Sequence, residues 1–328
     1  MTRALLALAM FGGLRIGAGP QERAAAIPAE AAAPAGFALH CPEPHAGKPR
    51  PADIIMPHLT DSKHLELPWV CGWGEWAVEV TLPTWNVPIG GATIDFGPTK
   101  HVVFLFLSAV VAALVLLLAA RSSARSTARI GRSTGFGAGI EGVILYLRNE
   151  IYMPVIGHGG ERYVPYCLSL FFFIAICNLF GLIPYGSTAT GNISVTATLA
   201  ALTFIVVEIA GMRALGKGYI NTIVYWPHDM PLAVKAPLTL VMTPVELIGK
   251  FTKPFALTIR LFANMVAGHV IILVLIGLIF TFGWFVALGS IPMALFIMLL
   301  ELLVVFIQAF IFSLLAAVFI GQIRASHH

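Results

Sequence analysis

Five long runs of apolar residues restrict the folds open to this sequence. They cover residues 101–120, 164–184, 193–212, 254–283 and 290–323. A run of about 20 apolar residues forms a helix long enough to cross the hydrocarbon core of a bilayer. Only 11% of the 328 residues are charged, against about 25% in a soluble domain. We therefore predict an all-α polytopic membrane protein with about five transmembrane helices.

Two further stretches predict helices at the membrane surface. Residues 139–157 (GIEGVILYLRNEIYMPVIG) follow the first apolar run, and residues 235–251 (KAPLTLVMTPVELIGKF) lead into the fourth. Both stretches are amphipathic and too polar to cross a bilayer, which is typical of helices that lie in the interfacial plane. We expect two interfacial helices in addition to the five crossings.

The last two apolar runs are longer than a crossing requires. As a helix, the run 290–323 would span about 50 Å, against a hydrocarbon core of about 30 Å. Such a helix tilts, breaks or protrudes, and steep tilt is favoured because no proline follows Pro292 within the run. The stretch FGWFVALGS (282–290) joins the two runs. We predict that they form a long, steeply tilted antiparallel hairpin.

The residues before the first crossing divide into two parts. Residues 1–30 contain a basic residue, a short apolar run and small residues, which is the pattern of a signal peptide; an uncleaved leader is the alternative. Residues 36–98 are polar, hint at short strands, and are assigned to an extracytoplasmic segment. A disulfide between Cys41 and Cys71 stays open, because translocation of this segment would permit it. Residues 99–324 form the predicted transmembrane domain.

The distribution of basic residues predicts the orientation in the membrane, because cytoplasmic loops are enriched in Lys and Arg. The loop after the second crossing (YGSTATGN, 185–192) contains neither, whereas the segments after the first, third and fifth crossings do. Those basic residues are Arg121, Arg125, Arg129 and Arg132, then Arg213 and Lys217, and finally Arg324. The N-terminus is therefore predicted outside the cytoplasm and the C-terminus inside it.

Polar residues interrupt the last two apolar runs. Arg260, Asn264 and His269 lie in the fourth run, and Glu301 and Gln308 lie in the fifth. Residues at equal depth in an antiparallel hairpin have position numbers with a constant sum, and His269 and Glu301 fit one such register. Nearly the same register places Gln308 opposite Arg260 and Asn264. Arg260 and Asn264 share a helix face, whereas His269 is rotated about 180° away from Arg260.

These groups predict an ion path, because intramembrane ionisable residues that face a bundle interior mark such paths. His269 and Glu301 can both exchange protons. Arg260 cannot release its proton, so it is a fixed charge that attracts carboxylates and repels cations. The alternatives are a packing histidine, amides that only join helices, and an arginine that reaches the headgroups.

Four stretches of the sequence carry a specific motif pattern. They are YVPYCLSLFFFIAICNLFGLIPYG, TGNISVTATLAAL, TPVELIGKFTKPFALTIRLFANMVAGH and ELLVVFIQAFIFSLLAAVFI. Together they closely resemble subunit a of F-type ATP synthases, with one extra alanine in the second stretch. The resemblance extends over roughly 95–323 and leaves the N-terminal segment outside it.

The resemblance implies roles for the residues of the fourth and fifth runs. Arg260 resembles the essential arginine that faces the rotating ring of c subunits, and Asn264 and Gln308 resemble its polar neighbours. His269 and Glu301 match a pair whose order is reversed in some members of the family.

Two further residues receive roles from the same resemblance. Glu246 matches an acidic position of the cytoplasmic half-channel. Asn192 occupies a position of the opposite half-channel where some members have aspartate. Protons would therefore enter near His269, Glu301 and Asn192 and leave near Glu246, with Arg260 separating the two half-channels.

The implied protein is a non-catalytic, proton-translocating subunit of a bacterial-type inner membrane, without cofactor or metal. Its implied partners are an oligomeric c-subunit ring, peripheral-stalk b subunits and the lipid bilayer. No basic stripe interleaved with aromatic residues accompanies the net charge of +4, which predicts no nucleic-acid partner.

The alternative function is a secondary transporter that holds an anionic substrate at Arg260. The titratable His269 favours protons over sodium, and the role of residues 36–95 and the ring stoichiometry stay open.

Overall fold

The computed structural model describes most of the predicted transmembrane domain and parts of the segment before it. The described residues are 38–40, 61–67, 78–89, 92–95, 97–130, 134–183, 188–222 and 232–325. The predicted leader at 1–30 and the two cysteines Cys41 and Cys71 lie outside these ranges.

Short antiparallel strands form the described part of the N-terminal segment, as the sequence hints. They are β1 (Ala38–His40), β2 (His64–Leu67), β3 (Val78–Thr81), β4 (Asn86–Ile89) and β5 (Ala92–Asp95). The first three form a sheet in the order β1-β3-β2, in which Val80 lies opposite both Leu39 and Leu65. The last two pair as a hairpin.

Helices form the rest of the described chain, which confirms the all-α membrane domain. They are α1 (Lys100–Ile130), α2 (Gly135–Tyr146), α3 (Met153–Ile156), α4 (Val164–Gly181), α5 (Ile193–Leu215), α6 (Leu232–Phe282) and α7 (Trp284–Ala325). A π-helix (Leu147–Tyr152) joins α2 to α3, and 3-10 helices occur at Glu161–Tyr163, Ala189–Gly191 and Gly216–Thr222.

Five of the described helical stretches are long and apolar enough to cross a membrane, as predicted. These candidate spans are Lys100–Ala128, Glu161–Gly181, Ile193–Leu215, Pro237–Ile279 and Trp284–Ala325. The chain is therefore a multi-pass membrane protein. The predicted amphipathic stretch 139–157 is also helical, within the succession of α2, the π-helix and α3.

The structure differs from the sequence prediction at residues 235–251. These residues do not form a separate interfacial helix but the first part of α6, a single helix of 51 residues. Its internal prolines, Pro237, Pro244 and Pro254, each remove a backbone donor without ending it. Neighbouring threonine hydroxyls bond to nearby carbonyls, as where Thr258 Oγ1 donates to the carbonyl of Pro254 at 2.9 Å. Hydroxyl groups of this kind help membrane helices to tolerate proline.

The turn between the last two helices lies where the sequence predicts it. α6 ends at Phe282, Gly283 has φ of 86°, and α7 begins at Trp284. A positive φ of this size favours glycine, because a side chain would clash with the backbone. α6 and α7 are about 76 Å and 63 Å long at 1.5 Å per residue, so both exceed the thickness of a bilayer core. Their tilt stays a prediction.

The described residues divide into two compact units. Unit 1 comprises those up to 107 together with 179–195 and 265–302, and unit 2 comprises 108–178, 196–264 and those from 303 onward. In unit 1 the segment before α1 is tied to the helix by the backbone bond from Lys100 N–H to the carbonyl of Ser62, at 2.9 Å.

Unit 2 has a compact apolar core. Its buried members are Leu147, Tyr152, Ile156, Tyr163, Val164, Cys167, Val207, Ala210, Ala317 and Ile320. A side chain at Gly137 would lie 2.9 Å from the carbonyl of Ala119, so glycine allows α2 to pack closely on α1. The buried Tyr152 hydroxyl donates to Ser313 Oγ at 2.7 Å.

Candidate functional site

In unit 1, α6 and α7 bring a histidine and a carboxylate into contact. His269 Nδ1 lies 3.0 Å from Glu301 Oε1, and the Glu301 side chain is only 3% exposed. Neither carboxylate oxygen of Glu301 receives a hydrogen bond from the described residues, so the imidazole is the polar group that contacts it. The other ring nitrogen, His269 Nε2, lies 3.3 Å from Thr188 Oγ1. The contact between His269 and Glu301 confirms the antiparallel register predicted for the hairpin.

Two glycines make room for this pair. A Cβ atom at Gly268 would lie 2.7 Å from Glu301 Oε1, and a Cβ atom at Gly181 would overlap the Thr188 hydroxyl and lie 2.8 Å from His269 Nε2. Carbon atoms do not approach oxygen or nitrogen this closely without displacing them. The absence of side chains at these positions therefore allows the imidazole to lie between the carboxylate and the threonine.

Asn192, the third residue predicted for this half-channel, lies in unit 1 and contacts a residue that the sequence did not indicate. Its Nδ2 group donates to Asp61 Oδ2 at 3.3 Å, and its Oδ1 accepts the backbone N–H of Ser194 at 2.9 Å. Asp61 Oδ1 in turn lies 3.1 Å from His101 Nδ1. Asp61 lies in a polar segment, and His101 is the first residue of the first apolar run. A titratable residue at the start of such a run is a signal that could have drawn attention to His101, but nothing in the sequence connected it to Asp61.

In unit 2, an exposed arginine lies on α6. Arg260 is exposed, and within the described parts of the chain it has no hydrogen-bond or ion-pair partner. It lines a mainly apolar pocket of about 490 Å³. The other lining residues are Val245, Ile248, Gly249, Thr252, Lys253, Ala256, Leu257, Leu315 and Phe319. The guanidinium is therefore available to a group from outside the chain.

One turn further along α6, Asn264 contacts α7. Asn264 Nδ2 donates to Gln308 Oε1 at 2.9 Å, and the Gln308 side chain is buried. This bond confirms that the predicted register holds in unit 2 as well. Of the two residues that the register places opposite Gln308, the described structure shows a hydrogen bond to Gln308 for Asn264 and none for Arg260.

The remaining predicted residue, Glu246, is exposed on α6 and has no partner in the described ranges. The neighbouring Lys250 differs from it, because Lys250 Nζ lies 3.1 Å from Glu208 Oε2 on α5 and is about 4.7 Å from the centre of the Tyr219 ring. Glu208 was not among the residues predicted for the ion path, and the structure places it in this half-buried ion pair. Across the described residues, no group of three His, Cys, Asp or Glu side chains is placed to hold a metal ion.

The chain is similar to known proteins over most of its length. A family model described as "ATP synthase A chain" matches residues 102–321. "ATP synthase subunit a 2" of Chlorobaculum tepidum is 42% identical over 309 residues, which are 93% of this chain and 81% of that protein. "ATP synthase subunit a" of Anaeromyxobacter dehalogenans is 43% identical over 279 residues, or 84% and 71% of the two chains. "ATP synthase subunit a 2" of Chlorobium luteolum is 39% identical in an alignment of 326 residues, which covers 94% of this chain and 90% of that protein.

Proposed function

Since this chain belongs to the ATP synthase A chain family, we propose that it is the proton-translocating subunit a of a rotary F-type ATP synthase. The observation that carries the proposal is the free guanidinium of Arg260. A permanent cation within a membrane-spanning helix costs at least about 2.5 kcal/mol, and no carboxylate in the described residues offsets this cost. An anionic group from another chain would offset it.

The anionic group that we propose is a carboxylate of a rotating c-subunit ring. Opposite unit charges about 4 Å apart attract by about 4 kcal/mol at an effective dielectric constant near 20. Arg260 would therefore favour the ionised form of each ring carboxylate that reaches it. Because the guanidinium cannot release its proton, it does not carry protons itself and prevents them from crossing without rotation.

Protons would reach the ring through unit 1. The His269–Glu301 contact supports this role, because an imidazole and a carboxylate 3.0 Å apart can pass a proton between them. The buried position of Glu301 keeps this exchange away from bulk water. Asn192 belongs to the same uptake half-channel. The titratable histidine also favours protons over sodium as the coupling ion.

Protons would leave through unit 2, where Glu246 is an exposed carboxylate without a partner in the described ranges. Each ring carboxylate would meet Arg260 on its way from the uptake half-channel to the release half-channel. Asn264, which is exposed and hydrogen-bonded to the buried Gln308, would present its amide to the ring near that point. This subunit would convert proton flow into rotation, and ATP would be made elsewhere in the complex.

The distribution of basic residues supports an N-terminus outside the cytoplasm and a C-terminus inside it, in a bacterial-type inner membrane. Uptake through unit 1 is then extracytoplasmic and release is cytoplasmic. Peripheral-stalk b subunits would hold the chain still against the turning ring. The alternative, a transporter of an anionic substrate, would work without a ring, and purification with or without ring subunits distinguishes the two functions.

The proposal is tested by Arg260→Ala in the complete complex, assayed in membrane vesicles. We expect loss of both ATP synthesis and ATP-driven proton pumping, because the ring carboxylates lose their fixed counter-charge. Arg213→Ala is the matched control, since Arg213 is another exposed arginine of unit 2, and it should keep both activities. Coupled synthesis by the Arg260→Ala complex would refute the proposal.

A further inference from the structure

Asp61 connects the N-terminal segment to two other parts of unit 1. Its Oδ1 lies 3.1 Å from His101 Nδ1 and accepts the backbone N–H of His101 at 3.3 Å. Its Oδ2 accepts a hydrogen bond from Asn192 Nδ2, also at 3.3 Å. The Asp61 side chain is 22% exposed and that of His101 only 4%. The carboxylate is therefore the member of the pair that water reaches, and the imidazole is the buried member.

The short turn that carries Asn192 also carries the threonine beside His269. Asn192 follows the 3-10 helix Ala189–Gly191, and Thr188 precedes it. Thr188 Oγ1 lies 3.3 Å from His269 Nε2. Four positions of 3-10 helix span about 8 Å at about 2 Å per residue. One end of this turn thus contacts the Asp61–His101 pair, and the other contacts the His269–Glu301 pair.

We propose that Asp61 and His101 form a proton-collecting pair at the extracytoplasmic end of the path to His269 and Glu301. The inference rests on the proposed function and adds to it a residue of the N-terminal segment, which lies outside the family match at 102–321. A proton that the Asp61 carboxylate draws in from water would be held between this carboxylate and the imidazole 3.1 Å away. It would then pass along the 188–192 turn to the imidazole of His269, which Thr188 contacts.

The surroundings of Asp61 keep it available for this role. Burial raises the pKa of the Asp61 carboxyl, but hydrogen bonds from His101 and the charge of His101 outweigh it, so the pKa lies below its ordinary value. The carboxyl is therefore ionised at neutral pH. Lys63 and Lys100 are the charged neighbours in sequence of Asp61 and His101, whereas residues 188–192 contain no titratable side chain. Asn192 donates to the carboxylate without titrating and so holds it in position.

A purely structural role for Asp61 makes a different prediction. If Asp61 only anchored the N-terminal segment, its removal would lower activity by the same factor at every pH. A collecting group matters most when protons are scarce, because a charged cleft raises the local concentration of the ion that it attracts. The pH dependence of the rate on the uptake side therefore separates the two roles.

The experiment uses the complete complex in vesicles, with ATP synthesis driven by an imposed potential and the pH of the uptake compartment varied. Asp61→Asn keeps the size of the side chain and one oxygen but removes the charge. We expect a rate close to wild type at acidic pH and a loss of about tenfold at alkaline pH, the lower end of the gain that a charged cleft gives to ion capture. For each complex, the ratio of the rate at alkaline pH to the rate at acidic pH does not depend on how much complex assembles. His101→Asn should show the same pH dependence.

Two controls complete the experiment. Asp61→Glu restores a carboxylate and should recover most of the alkaline rate, whereas Glu161→Gln removes an exposed carboxylate of unit 2 and should leave the pH dependence unchanged. Equal losses at all pH values in Asp61→Asn, or no loss at any, would overturn the collecting pair. Arg260→Ala is assayed in the same vesicles, so a failure of the proposed function appears there and is distinguished from a failure of Asp61.

Discussion

The two compact units of this protein contain different kinds of polar contact. In unit 1, two carboxylates each face a histidine: Asp61 faces His101 and Glu301 faces His269, at 3.1 and 3.0 Å. In unit 2, the carboxylate of Glu208 faces a lysine, and Arg260 has no carboxylate partner among the described residues. Histidine titrates near neutral pH, whereas lysine and arginine stay charged. Under the proposed function, unit 1 takes up protons and unit 2 holds the fixed positive charge.

The largest expected effect tests whether unit 2 needs an arginine or only a positive charge. Arg260→Lys should lower coupled ATP synthesis by at least about tenfold, since losing a bidentate contact with a carboxylate removes about 1.5–3 kcal/mol. Lysine also loses its charge more readily when water is excluded. Synthesis rates in vesicles measure the effect, with Arg213→Lys as the control. A rate near that of the wild type would mean that the shape of the cation is unimportant.

The second prediction exchanges the members of the pair in unit 1. His269→Glu or Glu301→His alone leaves two like groups side by side, and each should lower proton flux by about tenfold, because a buried charge without its partner is strongly unfavourable. The double variant restores one imidazole and one carboxylate and should conduct more than either single variant. Passive proton flux through the membrane sector is the measurement. Equal losses in all three complexes would show that the two residues do not act as a pair.

The smallest effect on activity is expected for the ion pair of unit 2. Lys250→Met should lower the stability of the complex by about 2 kcal/mol, because the half-buried Glu208 carboxylate loses its charged partner. The double variant with Glu208→Gln should recover most of this loss. Thermal inactivation measures stability, and the pH dependence of synthesis should not change. A change in that pH dependence would remove the distinction between the two units.

The sequence predicted those features that depend on hydropathy and register. The five apolar runs correspond to the five candidate spans, because length and hydropathy are read directly from the sequence. The contacts of His269 with Glu301 and of Asn264 with Gln308 followed from the constant sum of positions in an antiparallel hairpin. The same register places Arg260 near Gln308, but the amide oxygen of Gln308 is bonded to Asn264 and the guanidinium is exposed.

Other features could not be predicted in this way. Residues 235–251 are amphipathic, which predicted a separate interfacial helix, but the backbone continues through them into the rest of α6. Asp61 contacts a residue 40 positions further along the chain and another 131 positions away. It lies in a segment without a regular hydropathy period and outside the resemblance to the family. No local pattern connects such positions, so only the folded chain reveals the contact.

The continuity of α6 has a consequence for the two opposite charges that it carries in unit 2. Glu246 and Arg260 are fourteen residues apart, and at 1.5 Å per residue an unbroken helix holds them about 21 Å apart. A flexible joint between them would let the carboxylate fold back and neutralise the guanidinium. The continuous helix keeps the two side chains apart and prevents an ion pair between them. The arginine therefore stays available to an anion from another chain.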